Sequence, residues 1–280
     1  MPCVPPVEFG GAGAQVYFLH ANGYPPACYK PLLTDLAEDY RVTAILQRPL
    51  WSDSQPGELE DWHPLSTDLL DFLDAYQPAP CVCVGHSMGG IALLRAALRA
   101  PQRFKALVLL DPVLFPVGVI HLWRVIRTLG MEQRFHPLVP VANHRRRQFD
   151  SLELLFRGYR RKPIFRQMSD DSLRAYVEGI ACPAEHGYRL CYSAEWESRI
   201  YTTSAWRDLD IWRALPGLVP PTLILRGQET DTFWRSTARR VRRRQTRIRI
   251  ETIAETTHLL PLERPHQVAE RIKQFLKEVL

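Results

Sequence analysis

Short apolar runs alternate with helical patterns along most of this chain, and that alternation restricts the fold more than any other feature. Residues 15–19, 42–46, 81–84, 106–110 and 222–225 form such runs, too brief for helices and mostly apolar. A sixth run, 247–253, alternates Arg247, Arg249 and Glu251 with Ile248 and Ile250, as a strand with one solvated face does. Between the runs, 31–38, 65–76, 88–99 and 262–279 space their apolar residues for helices. Strand and helix in turn predict an α/β fold: a mostly parallel sheet flanked by helices on both faces. The alternation breaks once. Between Leu110 and Pro221 no comparable strand occurs, and a stretch of that length needs structure of its own. Residues 114–205 are therefore expected to form an inserted, largely helical cap, with 1–113 and 206–280 making the core domain.

The run 81–84 passes into the helix through "GHSMGG". A serine at such a corner occupies a sharp, strained turn, and Gly85 and Gly89 remove the Cβ atoms that would crowd it against strand and helix. The Ser87 hydroxyl then stands clear of the sheet, beside the unpaired N–H groups that open the helix. That geometry suits a nucleophile next to an anion site. His86 is read as a local packing or hydrogen-bonding residue.

A nucleophilic serine needs a base. His258 follows the last strand directly, and strand ends are where open α/β sheets collect their active residues. For the acid that orients it, "TLILRGQETD" ends a strand and offers Glu229 and Asp231. Asp231 is taken first, with Glu229 and Asp111 as rivals, Asp111 because it follows its own strand in "LVLLDP". After the first strand, "HANG" lets the backbone approach closely at Ala21 and Gly23. The backbone amides of Asn22 and Met88 can thereby converge as an oxyanion hole. His20 is read as structural.

Taken together, "HANG", "GHSMGG", "LRGQETD" and "TTHLLPLERP", in the order Ser, Asp, His, resemble the α/β-hydrolase superfamily over nearly the whole chain. The resemblance implies a serine hydrolase with a helical cap and no metal or organic cofactor. Two departures stand out. The family's first-strand loop often reads His-Gly where this chain has His20-Ala21, and its acid usually follows the strand-end glycine by three residues where Asp231 follows Gly227 by four. Resemblance to epoxide hydrolases or dehalogenases would call for aspartate at position 87.

Composition narrows the remaining classes. With 46% hydrophobic and 24% charged residues in 280, the chain has material for a substantial core. No secretory signal is read in its first residues, and the most apolar window, 106–123, is interrupted by Asp111, Pro112, Pro116 and Gly118, so no membrane span is expected. The six cysteines show no C-x-x-C pair and are read as reduced apolar fillers in a soluble, cytoplasmic protein. The net charge of +6 comes from arginine clusters without a nucleic-acid module, so no nucleic-acid partner is expected. The substrate is then a small molecule. An esterase acting through Ser87, His258 and Asp231 is the leading expectation; a carbon–carbon bond hydrolase, lactonase or thioesterase with the same residues, or a ligand-binding protein on this scaffold, are the alternatives. Cap aromatics such as Phe156, Tyr159 and Trp196 are expected in its small core, and Arg145, Arg146, Arg147, Arg160 and Arg161 in water; because the cap limits access to the site, short to medium neutral acyl esters are expected to be favoured over long-chain triglycerides.

Overall fold

A computed structural model describes residues 4–77 and 79–280. The chain builds β1 (Val7–Gly10), β2 (Gln15–Leu19), α1 (Lys30–Ala37), β3 (Arg41–Ile45), α2 (His63–Tyr76), β4 (Cys81–His86), α3 (Met88–Arg99) and β5 (Phe104–Leu110). There follow α4 (Val117–Thr128), α5 (Glu132–Phe135), α6 (Leu138–Asn143), β6 (Gln148–Phe149), α7 (Leu152–Arg160), α8 (Asp170–Ile180), β7 (Ala181–Pro183), β8 (Tyr188–Leu190) and α9 (Ala194–Thr203). The last part adds α10 (Leu209–Ala214), β9 (Thr222–Gly227), α11 (Arg235–Arg244), β10 (Ile248–Ile253), α12 (Leu260–Glu263) and α13 (Pro265–Val279).

Seven strands pair in the order β1-β3-β2-β4-β5-β9-β10, and all run parallel except the edge strand β1. Period-two alternation gives the sheet two cores. Val16, Phe18, Val82 and Val84 face α1, α12 and α13, whereas Tyr17, Leu19, Cys81 and Cys83 face α2, α3 and α11. The single helix anticipated over 262–279 is broken at Arg264, because Pro265 has no N–H to continue α12 and instead opens α13.

The segment between β5 and β9 is helical with one addition, an antiparallel sheet of β6, β8 and β7. Cys182 and Cys191 form a disulfide across the β7–β8 hairpin, which corrects the reading of all six cysteines as unpaired. Their spacing carries no signature, since what brings them together is the turn through Gly187. Cys28, Cys81 and Cys83 are buried and free, and Cys3 lies outside the described residues. The expectation of a cytoplasmic location, drawn from the cysteine pattern together with the first residues, loses its first support. No helix among the described residues is long and apolar enough to cross a membrane. The segment packs closely on the core, for a Cβ on Gly179 of α8 would lie 2.4 Å from the Cys28 nitrogen.

A charged network locks α3 to the return from this segment. Arg95, 2% exposed, donates to Asp208 at 2.6 Å and to both oxygens of Asp210 at 3.2 Å. His63 at the head of α2 bridges Asp210 at 2.7 Å and Asp61 at 2.8 Å. Hydrogen bonds to Asp210 and then Asp61 raise the His63 imidazole to about 9. A raised folded-state pKa means that the contribution is full below 6.5, the ordinary value, and disappears as pH climbs through about 9. Urea unfolding should therefore show stability falling between pH 6.5 and 9.5, and His63→Ala should flatten that part of the profile.

Candidate active site

The site forms where β2, β4, β5 and the loop after β10 end together. Ser87 lies between β4 and α3 with φ 55° and ψ −115°, a conformation that side chains rarely adopt. Its neighbours explain how it persists. A Cβ on Gly89 would come within 2.5 Å of the Leu19 carbonyl oxygen, and one on Gly85 within 2.6 Å of the Gly89 carbonyl oxygen. Only glycine admits such backbone contacts.

His258 Nε2 lies 2.9 Å from Ser87 Oγ, and its Nδ1 lies 2.7 Å from Asp111 Oδ2. A proton on Nδ1 serves the carboxylate, which leaves Nε2 to accept from the serine hydroxyl. Asp111 is fully buried, and its Oδ1 also accepts from the Gly227 N–H at 3.0 Å, while Oδ2 accepts from the Thr230 hydroxyl. Three donors thereby fix the orientation of the carboxylate.

Asp231, the acid expected from the sequence, does not meet His258. It is exposed, and its Oδ1 accepts from the Thr232 hydroxyl. Glu229 faces Arg166 and Gln167 instead. The reason is the strand order: β5 lies directly beside β4, with Leu110 opposite His86, so the residue after Leu110 borders the elbow. The loop after β9 reaches the same place with Thr230, which donates to the acid rather than replacing it.

A second line of hydrogen bonds runs beneath the first. The Ala21 N–H donates to Tyr29 Oη at 3.2 Å, Tyr29 O–H donates to His86 Nδ1 at 2.8 Å, and His86 Nε2–H donates to the His258 carbonyl at 3.0 Å. Burial, with help from His258, pushes the His86 imidazole well below its ordinary value, so it stays neutral and keeps this donor–acceptor polarity. The chain ties the loop after β2, the elbow and the base to one another. A buried histidine immediately before the serine is its one trace in the sequence.

His20 is likewise buried, and burial lowers it to about 4. Its Nδ1–H donates to the Ala21 carbonyl at 2.9 Å, and its Nε2 accepts from the Gln47 N–H at 3.3 Å. Among the described residues, the backbone N–H groups of Asn22 and Met88 find no acceptor. Loop 257–263 is shaped by Glu263, which accepts from the Thr257 N–H at 2.7 Å and hydroxyl at 2.8 Å. No group of metal-ligating side chains occurs among the described residues.

Residues 16–271 match the alpha/beta hydrolase family. The chain belongs to that family. It is 31% identical over 131 residues to an epoxide hydrolase of Caballeronia sordidicola, a match covering 45% of this chain and 39% of that protein. Over 104 residues it is 32% identical to the pimeloyl-(acyl-carrier protein) methyl ester esterase of Shewanella woodyi, covering 36% of this chain and 37% of that one. The matches thus span well under half of these two curated relatives. The fold is also that of E-2-(acetamidomethylene)succinate hydrolase, with a TM-score of 0.75 over 96% of this chain and 93% of that one at 17% identity.

The buried line through Tyr29 has a measurable cost of removal. Tyr29→Phe leaves His86 Nδ1 and the Ala21 N–H without partners, and each such loss typically costs about 1–3 kcal/mol. The variant should show a clearly lowered urea midpoint with an unchanged m-value.

Proposed function

We propose that this protein is a serine hydrolase of carboxylic esters, and the observation that carries the reading is the continuous line Ser87 Oγ, His258, Asp111. His258 Nε2 takes the hydroxyl proton as Ser87 Oγ attacks the ester carbonyl, and Asp111 holds the resulting imidazolium. The imidazolium returns its proton to the departing alcohol, leaving an acyl-enzyme. Water enters, gives its proton to the same nitrogen and releases the acid.

The oxyanion formed in both halves needs donors that are already unpaired. The N–H groups of Met88 and Asn22 meet that condition, and Met88 opens α3, whose dipole adds positive potential. Asn22 is further anchored from above, its side chain donating to the Glu197 carbonyl of α9 at 3.1 Å. We take residues 114–205 as a cap over the site on this contact. A serine at the elbow, where epoxide hydrolases would call for aspartate, favours acyl transfer to a hydroxyl over epoxide opening.

Ser87→Ala should abolish both turnover and labelling by a fluorophosphonate while leaving the melting temperature nearly unchanged. Asp111→Asn should lower kcat by about 10⁴-fold, the size of loss seen when a triad carboxylate is neutralised, and Asp231→Asn should stay within about twofold of wild type, since exposed substitutions away from a site have little effect. Comparable losses in both aspartate variants would contradict the assignment.

A further inference from the structure

Beside the loop of Asn22 and Gly23 the inserted segment buries charge that the reaction above does not use. Glu197 of α9 is 3% exposed, and its Oε1 lies 3.2 Å from Arg145 Nη2. The same oxygen would be 3.5 Å from a Cβ on Gly23, which sets the pair against the loop expected to hold the oxyanion. Arg147 and Lys162 also act on Glu197. Arg147 Nη1 donates to the Tyr192 carbonyl, and Lys162 Nζ lies 4.0 Å above the Tyr159 ring. Arg145 and Arg147 face one buried carboxylate, an excess of one positive charge, and the exposed Lys162 adds little to it. Glu195, which also acts on Arg147, is exposed and offsets little of it.

The hydrogen-bonding groups are as one-sided as the charge. Arg145 Nε and Arg147 Nε and Nη2 are buried without a partner, whereas the Tyr176 hydroxyl faces Tyr159 and the Tyr192 oxygen faces the Gly23 N–H, which leaves the Tyr159 and Tyr192 protons to donate. Tyr159, Tyr176 and Tyr192 are 2%, 0% and 4% exposed. Burial pushes all three phenols up, so each keeps its proton to donate. Against these donors the nearby loop adds one unpaired acceptor, Asn22 Oδ1. Buried polar groups are ordinarily satisfied, and an apolar acyl chain placed here would satisfy none of them. An ammonium group would meet repulsion. A carboxylate offers about four acceptor lone pairs and removes the excess charge.

We propose that Arg145 and Arg147, with the hydroxyls of Tyr159 and Tyr192, hold a carboxylate of the substrate, so that the ester cleaved at Ser87 carries a second, free carboxylate. The inference rests on the reading of Ser87 as the nucleophile. It also replaces the expectation of neutral acyl esters and corrects that of arginines in water: Arg146 and Arg161 are exposed, but the Arg145 side chain is only 19% exposed.

The test compares monoethyl esters of straight-chain dicarboxylic acids, from succinate to pimelate, with ethyl esters of the matching monocarboxylic acids. At least one anionic ester should exceed its neutral partner about tenfold or more in kcat/KM, mainly through KM, a ratio in keeping with charge-assisted hydrogen bonds. Arg145→Gln alone would strand Glu197, so the double variant Arg145→Gln/Glu197→Gln and the single variant Arg147→Gln are used. Both should pull the ratio toward one. A wild-type ratio of one or less across the series overturns the carboxylate site. Fluorophosphonate labelling separates the two readings: a labelled enzyme indifferent to the carboxylate refutes this inference alone, whereas an unlabelled protein refutes the nucleophile. Calorimetric titration of Ser87→Ala with monoethyl adipate and ethyl hexanoate reads the site without turnover. Tighter binding of the anion supports it, and equal binding overturns it.

Discussion

Backbone touching backbone at the elbow is the constraint from which the rest of the site follows. Gly89 brings the first turn of α3 against the carbonyl oxygens of Leu19 and His20, and Gly85 brings β4 against the same turn. Any side chain at either position would push the helix away from the loop after β2. With the two segments in contact, Ser87 is held in a conformation it would not choose. The buried line from Ala21 through Tyr29 and His86 to His258 then fastens the base to the same frame.

The elbow was readable because its causes are local. Two glycines, a serine between them, an apolar run before and a helical pattern after all fall within a few residues, and the structure places β4 and α3 on those residues. His258 was readable for a similar reason, as a histidine just past a strand. The acid was not, because choosing it required knowing which strand lies beside β4. The chain order Ser, Asp, His favoured Asp231 despite its spacing, but the sheet order puts β5 at the elbow and brings Asp111 to His258. The sequence contains both aspartates at strand ends and nothing local that ranks them.

The inserted segment shows the same limit more strongly. Arg145 sits in a basic stretch that reads as solvated, yet its partner Glu197 comes from a distant helix that folds back over it. Cys182 and Cys191 meet only because β7 and β8 form a hairpin. Edge strand β1, with Gly10 and Gly11 at its end, pairs antiparallel to β3 and left too short an apolar signal to be noticed. Long-range pairings of this kind depend on the tertiary arrangement, which periodicity and composition do not encode.

Ser87 and His258 are 171 residues apart, and Asp111 and His258 are 147 apart. A chain emerging from the ribosome therefore displays its serine and its acid long before the imidazole exists to withdraw a proton. Until β10 docks beside β9 and carries His258 across, the hydroxyl is an ordinary alcohol. Chains dominated by contacts of such high sequence separation fold slowly. On the proposed reading, the hydroxyl gains its base only in a chain whose last strand has paired, so reactivity at Ser87 belongs to the completed fold.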